Sequence, residues 1–340
     1  MIRAALLGAM LSGLPAVAED IPTLFRGGAP GVTLSGSLLL APSPGAPALA
    51  IVSGSGLQDK DFTHQGQQIF RRLAEKLAGQ GISTLRYDDR GYGGSTGDPQ
   101  ITMADEAADA AAALDHLCGQ IGIDPFRVGL IGHSSGGIAV TRALGDRNGT
   151  GIAVLLASPT TNGEEVLLWQ TAANLKAAGM SDATVAQNNS QVRRLIAATL
   201  SSDQELLDTT RQIGAEVGAD LQWMRLQVAI FGAPWMRDFL KFNPVPSLSA
   251  LSGPVLALYG ERDLRVEPQK NADLARGALD GNPQSDVRIV PGTAHLMQKA
   301  ARLNHLADAG PAPSDAVVRI IAEWIKAQPP LRETPCRSVQ

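Results

Sequence analysis

The chain is 340 residues long and 44% hydrophobic, enough to bury a sizeable core in one large domain that carries an insertion. Its 29 Lys and Arg against 33 Asp and Glu give a formal net charge of -4, spread without a basic block or stripe, which sets aside a nucleic-acid partner. Beyond the first twenty positions no long uncharged apolar run occurs, so no membrane span is expected.

The first residues read as a signal peptide. Arg3 supplies a positive start, residues 4–14 an apolar stretch, and Ala16-Val17-Ala18 a small-x-small cleavage pattern, with Glu19-Asp20 following. Residues 1–18 are therefore expected to be removed and the protein to be periplasmic or secreted. No Cys follows the cleavage point, so no lipid anchor is expected. In an oxidising compartment Cys118 and Cys336 could pair. They could equally be one buried and one free thiol, because sequence does not show whether their Cβ atoms meet.

From residue 33 onward strands and helices alternate. Short apolar runs at 33–40, 48–52, 83–87 and 128–131 predict strands. Between them, Ile69, Phe70, Leu73 and Leu77 mark one amphipathic helix, and Met103, Ala107, Ala110, Leu114 and Leu117 another. Strands alternating with helices predict a mostly parallel sheet covered on both faces, an α/β fold. A further strand is expected at 152–157. Residues 160–244 then hold helical stripes and no convincing strand: Val192, Leu195, Ile196 and Leu200, then Leu221, Met224, Val228 and Phe231. This stretch reads as an all-helical lid inserted between two parts of the core, 19–159 and 245–328. The strand pattern returns at 254–259 and 287–290, and a helix is expected at 315–327. Residues 329–340 read as a loose tail.

The strongest chemical signal is Gly132-His133-Ser134-Ser135-Gly136, a G-x-S-x-G between a predicted strand and a predicted helix. A sharp turn there pushes the Ser134 hydroxyl out above the sheet, and the helix start offers free N–H groups to an anion. A serine hydroxyl needs a base, and the base needs an orienting acid. Only His295 and His305 follow Ser134; His295 sits in a loop just after a strand and is the expected base, whereas His305 reads as a surface position. For the acid, Asp263 lies just past a strand end, where catalytic groups of open α/β sheets gather. Glu261 and Glu267 are its rivals in the same loop. The oxyanion is expected on two main-chain N–H groups, that of Ser135 and that of Ser55 in Ser53-Gly54-Ser55-Gly56. His133 is expected to pack beside the nucleophile, while His64 and His116 stand as single histidines without a spaced partner. Trp169, Trp223 and Trp235 could line an acyl or alcohol pocket or belong to the core of the insertion. No metal-ligand spacing is present, so neither metal nor cofactor is expected.

Together these residues resemble the α/β-hydrolase superfamily over essentially the whole mature chain. Residues Ser53-Gly54-Ser55-Gly56-Leu57-Gln58-Asp59-Lys60-Asp61 are similar to the G-S-G-P-x-D-R-D stretch of a bacterial carboxylesterase group related to serine-aminopeptidase-like hydrolases. Leu57 and Lys60 depart from it, and Ser53 stands where that group has a histidine. Arg86-Tyr87-Asp88-Asp89-Arg90-Gly91-Tyr92-Gly93-Gly94-Ser95 matches the R-x-D-x-R-G-x-G-x-S turn of the superfamily. Asp88, Asp89 and Arg90 are expected to pin that loop rather than to react. The resemblance implies a serine hydrolase that cleaves small-molecule esters of small or medium acyl groups through an acyl-enzyme on Ser134. A peptidase, thioesterase or acyltransferase would use the same triad. A binding protein on this fold, with the insertion as its contact surface, would need none of it.

Overall fold

The computed structural model describes residues 20–300 and 312–337. The expected signal peptide and His305 lie outside the described residues.

The chain opens with two antiparallel strands, β1 (Asp20–Arg26) and β2 (Thr33–Leu39), followed by β3 (Ala48–Val52). A short hairpin, β4 (Thr63–His64) and β5 (Gln67–Gln68), leads into α1 (Ile69–Ala78), β6 (Ser83–Tyr87) and α2 (Met103–Cys118). Then come β7 (Val128–His133), α3 (Ser135–Gly145) and β8 (Ile152–Leu156). Five helices without a strand follow: α4 (Gly163–Ala177), α5 (Asp182–Ser201), α6 (Asp203–Val217), α7 (Leu221–Phe231) and α8 (Pro234–Lys241). The core resumes with α9 (Pro244–Ser249), β9 (Val255–Gly260), α10 (Pro268–Ala278), β10 (Ser285–Val290) and α11 (Asp315–Ala327).

Eight strands form one sheet in the order β1-β2-β6-β3-β7-β8-β9-β10. The two pairings made by β2 are antiparallel and the rest are parallel. This is the α/β-hydrolase fold, with helices covering both faces of a mostly parallel sheet. Strands β3, β7, β8 and β9 are buried at every position, which is why each reads as a continuous apolar run rather than an alternation. β6 is also wholly buried yet carries Arg86, 1% exposed, whose charge is met by Asp20 and Asp61. β1 escaped the sequence reading because it is an exposed edge strand with few apolar residues and a proline.

One face of the sheet packs on α2, α3 and α10, the other on α1 and α11. The α11 stripe shows the energetics: Val317, Ile321 and Ile325 are 0% exposed, and burying each such side chain is worth roughly 1.5–3 kcal/mol. Helix α2 starts cleanly because Thr102 and Asp105 form a reciprocal capping box. The five-helix insertion has its own apolar cluster, which Met103 and Ile138 of the core join.

Residues 329–337, the described part of the expected loose tail, are held to the core. Cys336 is disulfide-bonded to Cys118 at the end of α2, Leu331 N–H donates to Phe126 O (2.8 Å), and Arg147 donates to Pro335 O (2.6 Å) while pairing with Asp115. These anchors are far away in sequence, so no local periodicity announces them.

Candidate active site

Ser134 sits at the turn from β7 into α3 with φ 54° and ψ −129°, a left-handed conformation that costs a non-glycine residue roughly 1–3 kcal/mol. Two main-chain hydrogen bonds hold it there: Ser134 N–H donates to Leu156 O (2.8 Å) and Gly137 N–H to Ser134 O (3.0 Å). The turn also needs space. A Cβ on Gly136 would lie 2.1 Å from Ser53 O, and one on Gly132 would lie 2.5 Å from Gly137 N. The glycines of the motif thus let α3 press against β3 and β7.

Asp263 follows β9 and is 2% exposed. Its Oδ1 accepts from the N–H groups of Arg265 (2.7 Å) and Val266 (2.9 Å), which fixes the carboxylate. Its Oδ2 lies 2.8 Å from Nδ1 of His295, in the loop after β10. The two loops meet closely because residue 260 is glycine; a Cβ there would lie 2.7 Å from Ala294 O. The rival carboxylates are engaged elsewhere. Glu261 accepts from Gly292 N–H (2.8 Å), and Glu267 caps the start of α10. With Nδ1 on Asp263, His295 has Nε2 left for the cavity that it lines together with Ser134. The hydrogen bonds among the described residues include the His295–Asp263 link and none from Ser134 Oγ; such contacts commonly tighten only around a substrate.

Ser55 lines the same cavity, and Gly54 beside it lies against Ser134: a Cβ on Gly54 would be 3.0 Å from Ser134 Cβ. Neither Ser55 N–H nor Ser135 N–H has a hydrogen-bond partner among the described residues. His133 is buried, with its ring centroid 4.8 Å from that of His295, and its Nε2–H donates to His295 O (3.0 Å). Burial, reinforced by the nearby charge of His295, pushes His133 down to about 3, so it stays neutral and packs against His295.

The loop carrying Ser55 is tied down by the turn after β6. Ser53 Oγ–H donates to Asp89 Oδ1 (2.6 Å), Gln58 N–H to Asp89 Oδ2 (2.7 Å), and Lys60 N–H to Asp88 Oδ1 (2.7 Å). Burial pushes the Asp89 carboxyl up to about 7 against the pull of these bonds. Arg90 faces the other way and pairs with Asp105 and Asp109 of α2.

The cavity has a volume of about 280 Å³. The sequence reading missed several of its walls. Arg262, Leu264 and Arg265 come from the loop that carries Asp263, Gln298 from the loop after His295, and Gln170 and Asn174 from α4 of the insertion. Only the proximity of Arg262 and Arg265 to a candidate catalytic acid could have flagged them. His64 also lines the cavity, whereas His116 stacks on Phe25 far along the sheet. Among the described lining residues there is no tryptophan; Trp235 stacks on Phe239 inside the insertion.

This fold, with a serine at a strained strand–helix turn and an Asp–His pair beside it, defines a hydrolase class. The chain belongs to the alpha/beta hydrolase family, whose sequence model matches residues 49–304. It is 26% identical over 256 residues to Esterase EstD of Thermotoga maritima, a match covering 74% of this chain and 54% of that protein. It is 41% identical over 99 residues to an uncharacterized protein of Mycobacterium tuberculosis, covering 28% of this chain and 32% of that protein. The chain therefore spans about half the length of the first relative and a third of the second. Among solved structures, an esterase of Pyrococcus furiosus superposes with a TM-score of 0.59 at 14% identity, covering 95% of both chains. The alpha/beta hydrolase GrgF from a Penicillium species superposes with a TM-score of 0.56 at 18% identity, covering 91% of this chain and 98% of its own. At these identities the structural likeness carries the fold alone.

Proposed function

We propose that the protein is a serine esterase acting on carboxylic esters of small or medium acyl groups. The observation that carries this reading is the 2.8 Å contact between Asp263 and His295, with His295 and Ser134 lining one cavity. Ser134 Oγ attacks the ester carbonyl and His295 Nε2 takes its proton. Asp263 keeps the imidazole in the tautomer that leaves Nε2 bare and stabilises the imidazolium once it forms. The oxyanion is received by the N–H groups of Ser55 and Ser135, a contribution of roughly 2.7–4 kcal/mol per donor in comparable sites. His295 then protonates the leaving alcohol, and water, activated by the same base, frees the acid.

The cavity volume of about 280 Å³ supports small substrates, being at the lower edge of what ligand pockets offer. The likeness to Esterase EstD supports ester cleavage over the peptidase, thioesterase and acyltransferase variants. The test is hydrolysis of p-nitrophenyl esters of increasing acyl length. Turnover that vanishes in Ser134→Ala and falls beyond medium chains is expected; near-wild-type turnover in that variant would refute the mechanism. Export to the periplasm or medium is part of the same proposal. It rests on the signal-peptide pattern of residues 1–18 and on the Cys118–Cys336 disulfide, a bond that persists in oxidising compartments. Fractionation with mass measurement of the mature N-terminus tests it; a full-length reduced cytosolic protein would refute it.

A further inference from the structure

Resting on the esterase reading above, we infer that the cavity selects esters carrying a carboxylate and that Arg265 is the cation that receives it. Arg265 is among the residues that line the cavity, and its guanidinium makes no ion pair or hydrogen bond with any described residue. Its neighbour Arg262 is partly committed, with Nη1 donating to Ala300 O and Nε 3.9 Å from Glu261 Oε2. No Asp or Glu is among the described lining residues, so the two cations are not neutralised from within the cavity. The charge of Arg265 is felt across the site, where it adds to the forces that keep His133 neutral.

The remaining walls favour a polar ligand as well. Gln298 is 3% exposed, and its Oε1, an acceptor, has no partner among the described residues, which marks the wall as polar without choosing the sign of the ligand. Among the described residues His64 Nε2 is likewise buried without a partner, and the side-chain amide of Gln170 on α4 makes no hydrogen bond. A plain hydrocarbon chain would cover these groups without satisfying them, which disfavours it. A carboxylate would accept two parallel N–H bonds from one guanidinium, the arrangement in which arginine is strongest and most selective. Arg265 lies two residues past Asp263, so an anion bound there stays within a short ester's reach of the reacting atoms.

The carboxylate can sit on either half of the ester, and the substrates separate the two cases. Three esters are compared by proton release in a pH-stat: methyl butyrate, which is neutral, monomethyl succinate, charged on the acyl half, and the butyryl ester of glycolate, charged on the alcohol half. At low salt one charged ester is expected to exceed the neutral one in kcat/KM by roughly tenfold or more, the scale of one charge-assisted hydrogen bond. That ratio is expected to collapse in Arg265→Gln and to survive in part in Arg265→Lys. It should also shrink at about 0.5 M salt, because the side chain is exposed and screening is then strong. A neutral ester that matches or beats both charged ones, or a ratio unchanged in Arg265→Gln, overturns the inference and leaves the esterase reading standing. Failure to hydrolyse any of the three defeats the esterase reading instead. Calorimetric binding of monomethyl succinate then decides: saturable binding lost in Arg265→Gln sustains the anion site, and no binding, or binding indifferent to the substitution, overturns it.

Discussion

Replacing Asp263 by asparagine separates what this residue does for the reaction from what it does for the loop. In the protein its two oxygens have different tasks: Oδ1 accepts the N–H groups of Arg265 and Val266, and Oδ2 faces His295 Nδ1. Asparagine keeps the shape and can keep an oxygen on the two main-chain donors. Its NH2 then faces Nδ1, which must become an acceptor, so the imidazole carries its proton on Nε2 and cannot take one from Ser134. In related triads this wrong tautomer costs about 10⁴ in turnover, equivalent to about 5 kcal/mol of barrier. The unfolding midpoint should move little, whereas Asp263→Ala, which strands both N–H donors, should also lose roughly 1–3 kcal/mol of stability. The assay is kcat/KM on p-nitrophenyl butyrate, with thermal unfolding alongside. A loss below about tenfold in Asp263→Asn, with the fold intact, would refute the assignment. It would return Glu261 or Glu267 to consideration despite their ties to Gly292 and to the start of α10.

Gly136→Ala should prevent folding or destabilise the chain by more than the roughly 1–3 kcal/mol of ordinary overpacking, since its Cβ meets the Ser53 carbonyl oxygen at 2.1 Å; an unfolding midpoint close to wild type would contradict the close approach. Glu106 gives a pH signature: burial raises it from 4.5 to about 8, so between those values the native state holds a proton that the unfolded chain releases, and stability falls as pH rises through the window. Glu106→Gln should flatten that slope in urea titrations between pH 5 and 8, and an unchanged slope would show that the burial has no energetic consequence. Reduction of the Cys118–Cys336 bond should cost about 2–4 kcal/mol, read as a lower unfolding midpoint in reducing buffer; equal midpoints would mean that the remaining tail contacts suffice.

The features legible in the sequence are those that local chemistry imposes. The buried strands β3, β7, β8 and β9 announce themselves as apolar runs because both faces are covered. The strained turn at Ser134 announces itself because only glycines fit around it. The meeting of Asp263 and His295 is foreshadowed by chain order and by their positions just past strand ends. The features that stayed hidden depend on partners distant in the chain. β1 has an edge strand's exposed pattern, and residues 331–336 are fixed by Cys118, Phe126 and Arg147 rather than by any periodicity of their own. The part played by Asp89 in tying down the Ser53–Gln58 loop follows from side-chain direction, as does the placing of Arg265 on the cavity wall, and sequence does not encode direction at a loop.

The five-helix insertion leaves the sheet after β8 and returns before β9, and these two strands are hydrogen-bonded neighbours. Its two ends are therefore anchored side by side on a framework that is closed without it. Ser134, Asp263 and His295 all belong to that framework, and α4 meets the cavity through Gln170 and Asn174. Gln170 and Asn174 thus put part of the cavity wall on a separately replaceable segment, while Arg262, Arg265 and Gln298 stay with the framework. Exchange or drift of the helical segment can retune what enters the cavity while the register of the strands, and the chemistry they hold in place, stays the same.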